Sequence, residues 1–335
     1  MSTTAPGLGV PVDEEATSAP YDVVCLGEVL VEVATDAPFG HDVPATLGIS
    51  GDALNVAAAA AAAGARVGLA AVLTDDDLGR AVARRVADLG ISTGLLQLAA
   101  GQQGMYLVHS DPSGEREFSY ARSGSVGSTL APAHLPVEVL AGAGAVIASG
   151  ISCAISPTAR EAVRHAARTA QRFVYDPNYR PRLTTAAAAA ATLTELAPHC
   201  WLVTPSHPGE TKALLEVGSA VEAADWLRDF GAATVAVTCG ERGVQVVDAR
   251  SRTWIPAVPA RTVVDQTGAG DAYVGTLTAR LVLGDDLVTA ARLAAAASSL
   301  VVGGRGGTGL VPTLEQTKRH LHDHGSAPTA PETSG

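Results

Sequence analysis

The chain has 335 residues, of which 47% are hydrophobic and 17% are charged, and its formal net charge at pH 7 is −11. This composition is typical of a well-packed globular protein and excludes a largely disordered chain. The negative charge argues against nucleic acid as a partner, and no apolar run is long enough to span a membrane. The four cysteines lie far apart without a CxxC pair, which fits neither a zinc site nor a disulfide framework and indicates a reducing, cytoplasmic compartment.

Both ends of the chain are predicted to be disordered tails. Residues 1–20 contain Pro, Ser, Thr and acidic residues, without the basic start or the apolar core of a signal peptide. Residues 325–335 are rich in Ser, Pro, Thr and Gly. We therefore expect one folded unit over residues 21–324.

The first part of this unit predicts strands and helices in turn. Strands are expected at 21–26, 28–34 and 66–73, and helices at 52–63 and 78–89. Two further strands, at 105–109 and 116–121, flank Asp111-Pro112-Ser113-Gly114. These four residue types favour a turn, so the segment predicts a β-hairpin.

The rest of the chain continues the alternation. Strands are predicted at 145–148, 173–175, 201–203 and 234–238, with helices near 158–170, 186–197 and 219–230. A late hairpin at 243–247 and 253–255 precedes helices near 268–283, 287–302 and 313–323. Repeated β–α units predict an α/β fold with a central, mostly parallel sheet flanked by helices. The segments near 28–49 and 104–121 do not fit the alternation, and we expect them to form a small β-sheet lid that excludes water.

The segment Asp265-Gln266-Thr267-Gly268-Ala269-Gly270-Asp271 places a glycine-rich turn directly before a helix. Free N–H groups and the positive end of the helix dipole make such a turn a natural phosphate site. Asp271 would lie in the first helical turn, where it could accept a proton from a hydroxyl group. The alternative interpretation is that Thr267 caps the helix and Asp271 only complements the dipole.

A second glycine turn precedes the predicted helix at 52–63. Capping explains Asp52 well, but it explains Asn55 poorly, because asparagine has a low helix propensity and is followed here by a run of alanines. Open α/β sheets bind ligands at the carboxyl ends of their strands. We therefore expect Gly51, Asp52 and Asn55 to contact a ligand hydroxyl.

With these two motifs in this order, the sequence resembles the ribokinase/PfkB family of carbohydrate kinases over residues 21–323. Gly27-Glu28 after the first strand and the segment from Leu73 to Gly79 add to the resemblance. The family implies a ribokinase-like fold and ATP-dependent phosphorylation of a terminal primary hydroxyl, with Asp271 as the base. We expect the helix start to favour the ionised form of Asp271. The backbone N–H groups of Gly268, Ala269 and Gly270 would stabilise the transferring phosphate.

Within the family, the chain looks most like 2-keto-3-deoxygluconate kinases. The resemblance implies that Tyr106, Tyr120, Arg122 and Arg180 hold an acidic keto-sugar, and a guanidinium can grip a carboxylate through two hydrogen bonds. The alternative interpretation is structural. Arg180 would pair with Asp176, and the two tyrosines would pack against each other as cross-strand neighbours. Thr184 stands where kinases of keto-deoxy sugars often have Trp, which leaves a fructokinase-like enzyme for a neutral or modified sugar as the rival.

The resemblance also implies the sites of the cofactors. It gives ATP a loop containing Thr238, Gly240 and Gly243, together with Thr267 and Ser298, and Mg²⁺ would bridge the nucleotide phosphates. Where the family has an Asn and a Glu that organise water around Mg²⁺, this chain has Ser206 and Glu210. Asp265 is a candidate ligand for a monovalent cation such as K⁺.

Two further expectations concern partners and activity. Oligomerisation is expected because a projecting lid sheet has an edge and a face to cover. The resemblance implies that such homo-oligomers assemble through the lid. A catalytically silent relative that binds a sugar or nucleotide as a regulator should have lost the base or the glycines. Because Asp271, Gly268 and Gly270 are present, an active kinase is the preferred interpretation.

Overall fold

The computed structural model describes residues 21–110 and 116–325. The predicted tails at 1–20 and 326–335, and the predicted turn at Asp111–Gly114, lie outside the described residues. Gly325, assigned to the C-terminal tail from the sequence, instead follows the last helix as its C-terminal cap.

Thirteen strands are present in the described residues. They are β1 Val23–Leu26, β2 Leu30–Thr35, β3 Thr46–Ser50, β4 Val67–Thr74, β5 Leu96–Ala99, β6 Met105–Ser110, β7 Arg116–Ala121, β8 Ala145–Ser149, β9 Phe173–Asp176, β10 Cys200–Val203, β11 Val235–Thr238, β12 Gly243–Val247 and β13 Arg252–Pro256.

The α-helices of this part of the chain surround the strands. They are α1 Asp52–Ala62, α2 Asp77–Asp88, α3 Val137–Gly142, α4 Gly150–Ile155, α5 Pro157–Thr169, α6 Ala186–Leu196, α7 Gly209–Leu215, α8 Ala220–Asp229, α9 Ala269–Val282, α10 Leu287–Val301 and α11 Leu314–His324. The short elements β5, α3, α4 and α7 were not predicted from the sequence. None of the helices in the described ranges is both long and apolar enough to cross a membrane.

The larger sheet has nine strands in the order β13-β12-β11-β10-β9-β8-β1-β4-β5. All pairings from β11 to β5 are parallel, and β12 and β13 complete the sheet as an antiparallel hairpin. The predicted mostly parallel sheet is therefore confirmed. Strand β4 shows why the sequence folds this way, since all eight of its residues are buried, as expected for a parallel strand covered on both faces.

The smaller sheet has four strands in the order β3-β2-β6-β7 and forms the predicted lid. The β2–β3 and β6–β7 pairings are antiparallel, whereas the central β2–β6 pairing is parallel, so the sheet is mixed. Strand β2 begins at Leu30, and Glu28 lies in the connection between the two sheets. The lid is thus formed by two excursions of the chain from the larger sheet.

The hydrophobic core lies in two layers, one on each face of the larger sheet. On one face α1, α9 and α10 pack closely because their contacts are largely alanine and glycine. A Cβ atom at Gly275 would overlap the carbonyl oxygen of Val56, so only glycine lets α9 approach α1 this closely. This close approach brings the first turns of α1 and α9 together at the carboxyl ends of the strands.

Candidate active site

A cavity of about 1060 Å³ opens between the lid and the carboxyl ends of the parallel strands. Most of the residues expected to bind the substrate or to catalyse the transfer line this cavity. They are Gly51, Asp52, Asn55, Tyr106, Tyr120, Arg122, Arg180, Gly268, Gly270 and Asp271. Residues that are widely separated in the sequence therefore meet in one space. After the ligands expected from the sequence, we call the part of the cavity at the start of α9 the phosphate end and the part beneath the lid the sugar end.

The phosphate end is formed by the turn before α9. Gly268 is the N-cap, with a left-handed φ of 82°, and a Cβ atom there would lie 3.0 Å from the carbonyl oxygen of Gly307. The N-cap predicted in the alternative interpretation, Thr267, lies one residue earlier. The N–H of Ala269 donates to the carbonyl of Gln266 at 3.3 Å. Gly268 and Gly270 line the cavity, whereas Ala269 does not.

Asp271 lies in the first turn of α9, and the side chain of Asn55 holds it. The Nδ2 of Asn55 donates to Oδ2 of Asp271 at 2.8 Å, and the Oγ of Ser50 donates to Oδ1 of Asn55 at 3.4 Å. Asn55 is buried, so in this structure it orients the carboxylate of Asp271. This contact gives Asn55 a role at the start of an alanine-rich helix.

The pKa of Asp271 differs from the sequence-based expectation. Burial raises it to about 6, and the charge of Asp52 adds to the increase, while the hydrogen bond from Asn55 and the charge of Arg180 oppose it. The expectation that the helix start favours ionisation was wrong, because desolvation outweighs the dipole. A carboxyl group with this pKa is still mostly ionised at neutral pH, and a general base is most effective when its pKa lies near the working pH.

Asp52 is anchored at the start of α1. The Oγ of Ser149, at the end of β8, donates to Oδ2 of Asp52. Gly51 precedes it with a φ of 124°, and a Cβ atom at Gly51 would lie 2.7 Å from the carbonyl oxygen of Glu28. The turn between β3 and α1 therefore requires glycine, and it presents Asp52 to the cavity.

A second acidic group lies across the cavity. Burial and the charges of Glu210 and Asp271 raise the pKa of Asp176 well above its ordinary value. The oxygens of Glu210 accept hydrogen bonds from the N–H of Tyr179 at 2.6 Å and from the N–H and Oγ of Ser206 at 2.7 and 2.9 Å. Nearby, the Oγ1 of Thr204 is buried without a partner among the described residues.

The two predicted tyrosines pair across the lid. Tyr106 on β6 lies opposite Tyr120 on β7, with ring centroids 5.9 Å apart, so the cross-strand packing considered from the sequence is present. The hydroxyl of Tyr106 donates to Oε2 of Glu32 on the neighbouring β2. Tyr106 is buried and Tyr120 is half exposed, and both line the cavity, so packing and a ligand contact are compatible.

The two predicted arginines have different environments. The Nη2 of Arg122 lies 2.5 Å from Oε2 of Glu28 in a buried ion pair. Arg180, after β9, makes no ion pair within the described residues, and its Nη1 donates to the carbonyl of Tyr179 at 3.2 Å. The alternative pairing of Arg180 with Asp176 is therefore absent from the described part of the chain.

The residues expected to bind the nucleotide are more dispersed. Thr238 at the end of β11 and Thr267 line the cavity, whereas Gly240, Gly243 and Ser298 do not. Gly240 begins a short 3-10 turn that ends at Arg242, and a Cβ atom at Gly243 would overlap the carbonyl oxygen of Ile255. The Oγ of Ser298 donates to the carbonyl of Ala269 at 2.7 Å, which ties α10 to the start of α9.

Asp265 supports the turn before α9. Its Oδ1 accepts from the N–H of Thr267 at 2.6 Å, and its Oδ2 accepts from the N–H of Gly306 at 2.8 Å. Asp265 therefore connects the phosphate end to the glycine-rich segment after α10. Within residues 21–110 and 116–325, no group of three or more His, Cys, Asp or Glu side chains is arranged to hold a metal ion.

Three residues of the site were given no functional role from the sequence. Glu28, Asp176 and Thr204 each follow or end a parallel strand of the larger sheet. The signal that could have found them is their place in the chain, because polar residues at the carboxyl ends of parallel strands meet at one edge of the sheet.

The comparisons with known proteins agree with this geometry. The family model described as pfkB family carbohydrate kinase matches residues 21–314. The chain belongs to the pfkB family. It is therefore a carbohydrate kinase, a phosphotransferase that acts on an alcohol group, and its fold is the ribokinase-like fold expected from the sequence.

Curated relatives of this pfkB protein are sugar kinases, and a solved structure shares its fold. It is 32% identical to the 2-dehydro-3-deoxygluconokinase of Thermoproteus tenax over 92% of this chain and 96% of that protein. It is also 32% identical to Fructokinase-1 of Oryza sativa subsp. japonica, over 78% of this chain and 83% of that one. A putative Ribokinase II from E. coli, solved with ATP and Mg²⁺, superposes with a TM-score of 0.81 at 23% identity, covering 90% and 99% of the two chains.

Proposed function

We propose that this kinase transfers the γ-phosphoryl group of ATP to the terminal primary hydroxyl of a sugar acid, 2-keto-3-deoxygluconate. The observation that carries the proposal is one cavity in which a half-buried carboxylate at a helix start faces two arginines and a tyrosine pair. The first feature suits phosphoryl transfer, and the second suits an acidic sugar.

At the phosphate end, Asp271 accepts the proton of the attacking hydroxyl. Asn55 fixes the orientation of its carboxylate, and the raised pKa makes the group a stronger base than an ordinary aspartate. The N–H groups of Gly268 and Gly270 belong to the unpaired donors at a helix start, where they stabilise negative charge on the transferred group. Ala269 contributes less than expected from the sequence, because its N–H is engaged by Gln266.

At the sugar end, Arg180 is the main ligand of the carboxylate. It lines the cavity and makes no ion pair within the described residues, so its charge is available. Arg122 adds the donors that Glu28 leaves unused, and the tyrosine hydroxyls contact the sugar. The name of the Thermoproteus tenax relative supports this choice, since 2-dehydro-3-deoxygluconate is another name of the proposed substrate.

A neutral sugar such as fructose is the second candidate. The observation that favours it is the Arg122–Glu28 ion pair, which neutralises one of the two positive charges facing the ligand. The similarity to Fructokinase-1 supports the same interpretation. The base and the phosphate end would act in the same way on either substrate.

The residues present fit ATP with Mg²⁺. Glu210, Ser206 and the unpartnered Oγ1 of Thr204 offer oxygen atoms on the side of the cavity that also contains Thr238. An Mg²⁺ ion bound there would be held by these oxygens together with water and the nucleotide phosphates, and it would neutralise charge on the phosphates. A K⁺ ion at Asp265 and homo-oligomers through the lid, where Leu47 is 64% exposed, remain proposals.

A coupled assay of ADP release tests the proposal. The protein is supplied with ATP, Mg²⁺ and either 2-keto-3-deoxygluconate, fructose or ribose, and we expect the acid to give the highest kcat/KM. Arg180→Met should raise the KM for the acid by about 10- to 100-fold, because it removes a hydrogen bond to a charged group, and should leave the KM for fructose unchanged. Arg172→Met, which removes only a contact with the Trp201 ring, is the matched control.

The outcomes separate the candidates. Preference for fructose or ribose would overturn the acid assignment and keep the kinase mechanism. Absence of turnover with every sugar would instead support a silent binding protein.

A further inference from the structure

Glu28 is an unusually well-enclosed carboxylate at the junction of the two sheets. It follows β1 of the larger sheet and is only 1% exposed. Its two oxygens contact the turn that follows β7 of the lid, since Oε2 lies 2.5 Å from Nη2 of Arg122 and Oε1 accepts from Oγ of Ser125 at 2.5 Å. One acidic side chain therefore connects the lid directly to the sheet that carries the active site.

Two glycines make room for this carboxylate. A Cβ atom at Gly104, just before β6, would lie 2.5 Å from Oε1 of Glu28. A Cβ atom at Gly127 would overlap the Cγ of Glu28. The space is thus shaped by two separate segments, and it fixes the carboxylate before Arg122 is considered.

Arg122 gains a fixed position from this contact and keeps free donors. Arginine has five N–H donors, and Glu28 engages Nη2. The Nε of Arg122 is buried without a hydrogen-bond partner among the described residues, and its guanidinium lies 6.0 Å from the centre of the Tyr120 ring. Arg122 lines the cavity, so part of its donor set is held at the sugar end for a ligand.

We propose that Glu28 is a positioning residue that holds the Arg122 guanidinium in place for the carboxylate of the sugar substrate. This inference rests on the proposed function. A long arginine side chain loses much conformational freedom when it is fixed, and Glu28 imposes that loss before the substrate arrives.

The test compares Glu28→Gln with the wild-type protein in the ADP-release assay. Glutamine keeps the size of the side chain but weakens its hold on Arg122. We expect the KM for 2-keto-3-deoxygluconate to rise by about tenfold, the effect of losing the buried ion-pair contact that positions Arg122, with kcat and the KM for fructose unchanged within about twofold. Asp22→Asn is the matched control, because it removes an exposed ion pair with Arg66 at the opposite end of β1.

Two further variants separate positioning from a purely structural role. Glu28→Asp keeps the charge and withdraws it by one methylene group, so it should raise the acid KM even if Glu28→Gln fails to fold. In the Arg122→Met background, Glu28→Gln should cause no additional rise in KM, because both changes remove the same contact. Additive losses, or equal losses with acid and fructose, would overturn the proposal.

Failure of the proposed function and failure of the role of Glu28 give different results. If the wild-type protein prefers fructose, the acid assignment fails, and non-additivity of the same pair on the fructose KM still tests whether Glu28 acts through Arg122. If the wild-type protein prefers the acid and Glu28→Gln leaves the acid KM unchanged, the proposed function stands and the role of Glu28 is refuted.

Discussion

The two ends of the cavity are constructed in different ways. The core of the phosphate end is one contiguous segment, residues 265–271, with backbone N–H groups at a helix start, and Asn55 and Gly306 support it through hydrogen bonds. The sugar end combines side chains from β6 and β7, from the segments after β1 and β9, and from the turn after β7, and several depend on a partner from another element. The turn at the core of the phosphate end is therefore set by local backbone conformation, whereas the sugar end is assembled entirely by contacts between distant segments.

The electrostatics differ as well. At the phosphate end, Asp271, Asp52, Asp176 and Glu210 face one another, and burial together with mutual repulsion raises the pKa of Asp271 and Asp176. At the sugar end, Arg122 is matched by Glu28. The comparison predicts that changes at the phosphate end alter turnover, whereas changes at the sugar end alter KM and specificity.

The largest effect is expected for Asp271→Asn. Loss of the general base should lower kcat by about 10³-fold, while the KM for the sugar changes little. Asp248→Asn, at a half-buried aspartate that accepts hydrogen bonds within a turn remote from the cavity, is the control and should retain full activity. If Asp271→Asn were as active as the wild type, Asp271 would not be the base, and the prediction that changes at the phosphate end alter turnover would be contradicted.

The same variant should be more stable than the wild type. The pKa of Asp271 is higher in the folded state, about 6, than its ordinary value of 3.8, so its ionisation opposes folding above that range. The neutral amide of the variant carries no such cost, and the gain should reach on the order of 2 kcal/mol at pH 8. It should decrease as the pH falls through 6 and disappear near 4, which thermal unfolding at several pH values would measure.

The next largest effect is expected for Gly268→Ala. Alanine at a φ of 82°, with its Cβ 3.0 Å from the Gly307 carbonyl oxygen, should strain the turn by about 1–3 kcal/mol. We expect a lower thermal midpoint and a kcat reduced by about tenfold, as donors move away from the phosphate.

Gly270→Ala is the matched comparison for this turn. A Cβ atom there meets nothing within 4 Å, and the position lies inside α9. Because alanine favours a helix over glycine by about 1 kcal/mol, its thermal midpoint should rise. If both variants lost stability equally, local backbone conformation would not be what fixes the phosphate end.

The contrast between the two ends also explains what could be predicted from the sequence. The turn before α9 is encoded in consecutive residues, so its helix start and Asp271 were predicted directly. The role of Glu28 could not be, because its partners Arg122 and Ser125 meet it only after the lid and the larger sheet come together. The predicted direction of the pKa shift of Asp271 was wrong for a related reason. The burial that raises this pKa depends on how α9 packs against other elements, and not on the start of α9 alone.

The smallest effect concerns the pH dependence of the base. The pKa of Asp271 is raised by burial and by the Asp52 charge, and it is lowered by the Asn55 hydrogen bond and the Arg180 charge. The charge of Asp271 in turn helps to raise the pKa of Asp176. The logarithm of kcat/KM should therefore rise with pH up to a midpoint near 6, where Asp271 loses its proton.

Two substitutions should move this midpoint in opposite directions. Asp52→Asn removes a negative charge that raises the pKa, so the midpoint should fall, and Asn55→Ala removes a hydrogen bond that lowers the pKa, so the midpoint should rise. We expect shifts of about half a pH unit, measured from kcat/KM between pH 5 and 8, even where the maximal rate also drops. Arg180→Met should also raise the midpoint, because the positive charge of Arg180 favours ionisation of Asp271 although Arg180 lies at the sugar end. A midpoint unmoved by Arg180→Met would mean that the two ends are electrostatically independent, whereas a shift would show that the sugar end tunes the base directly.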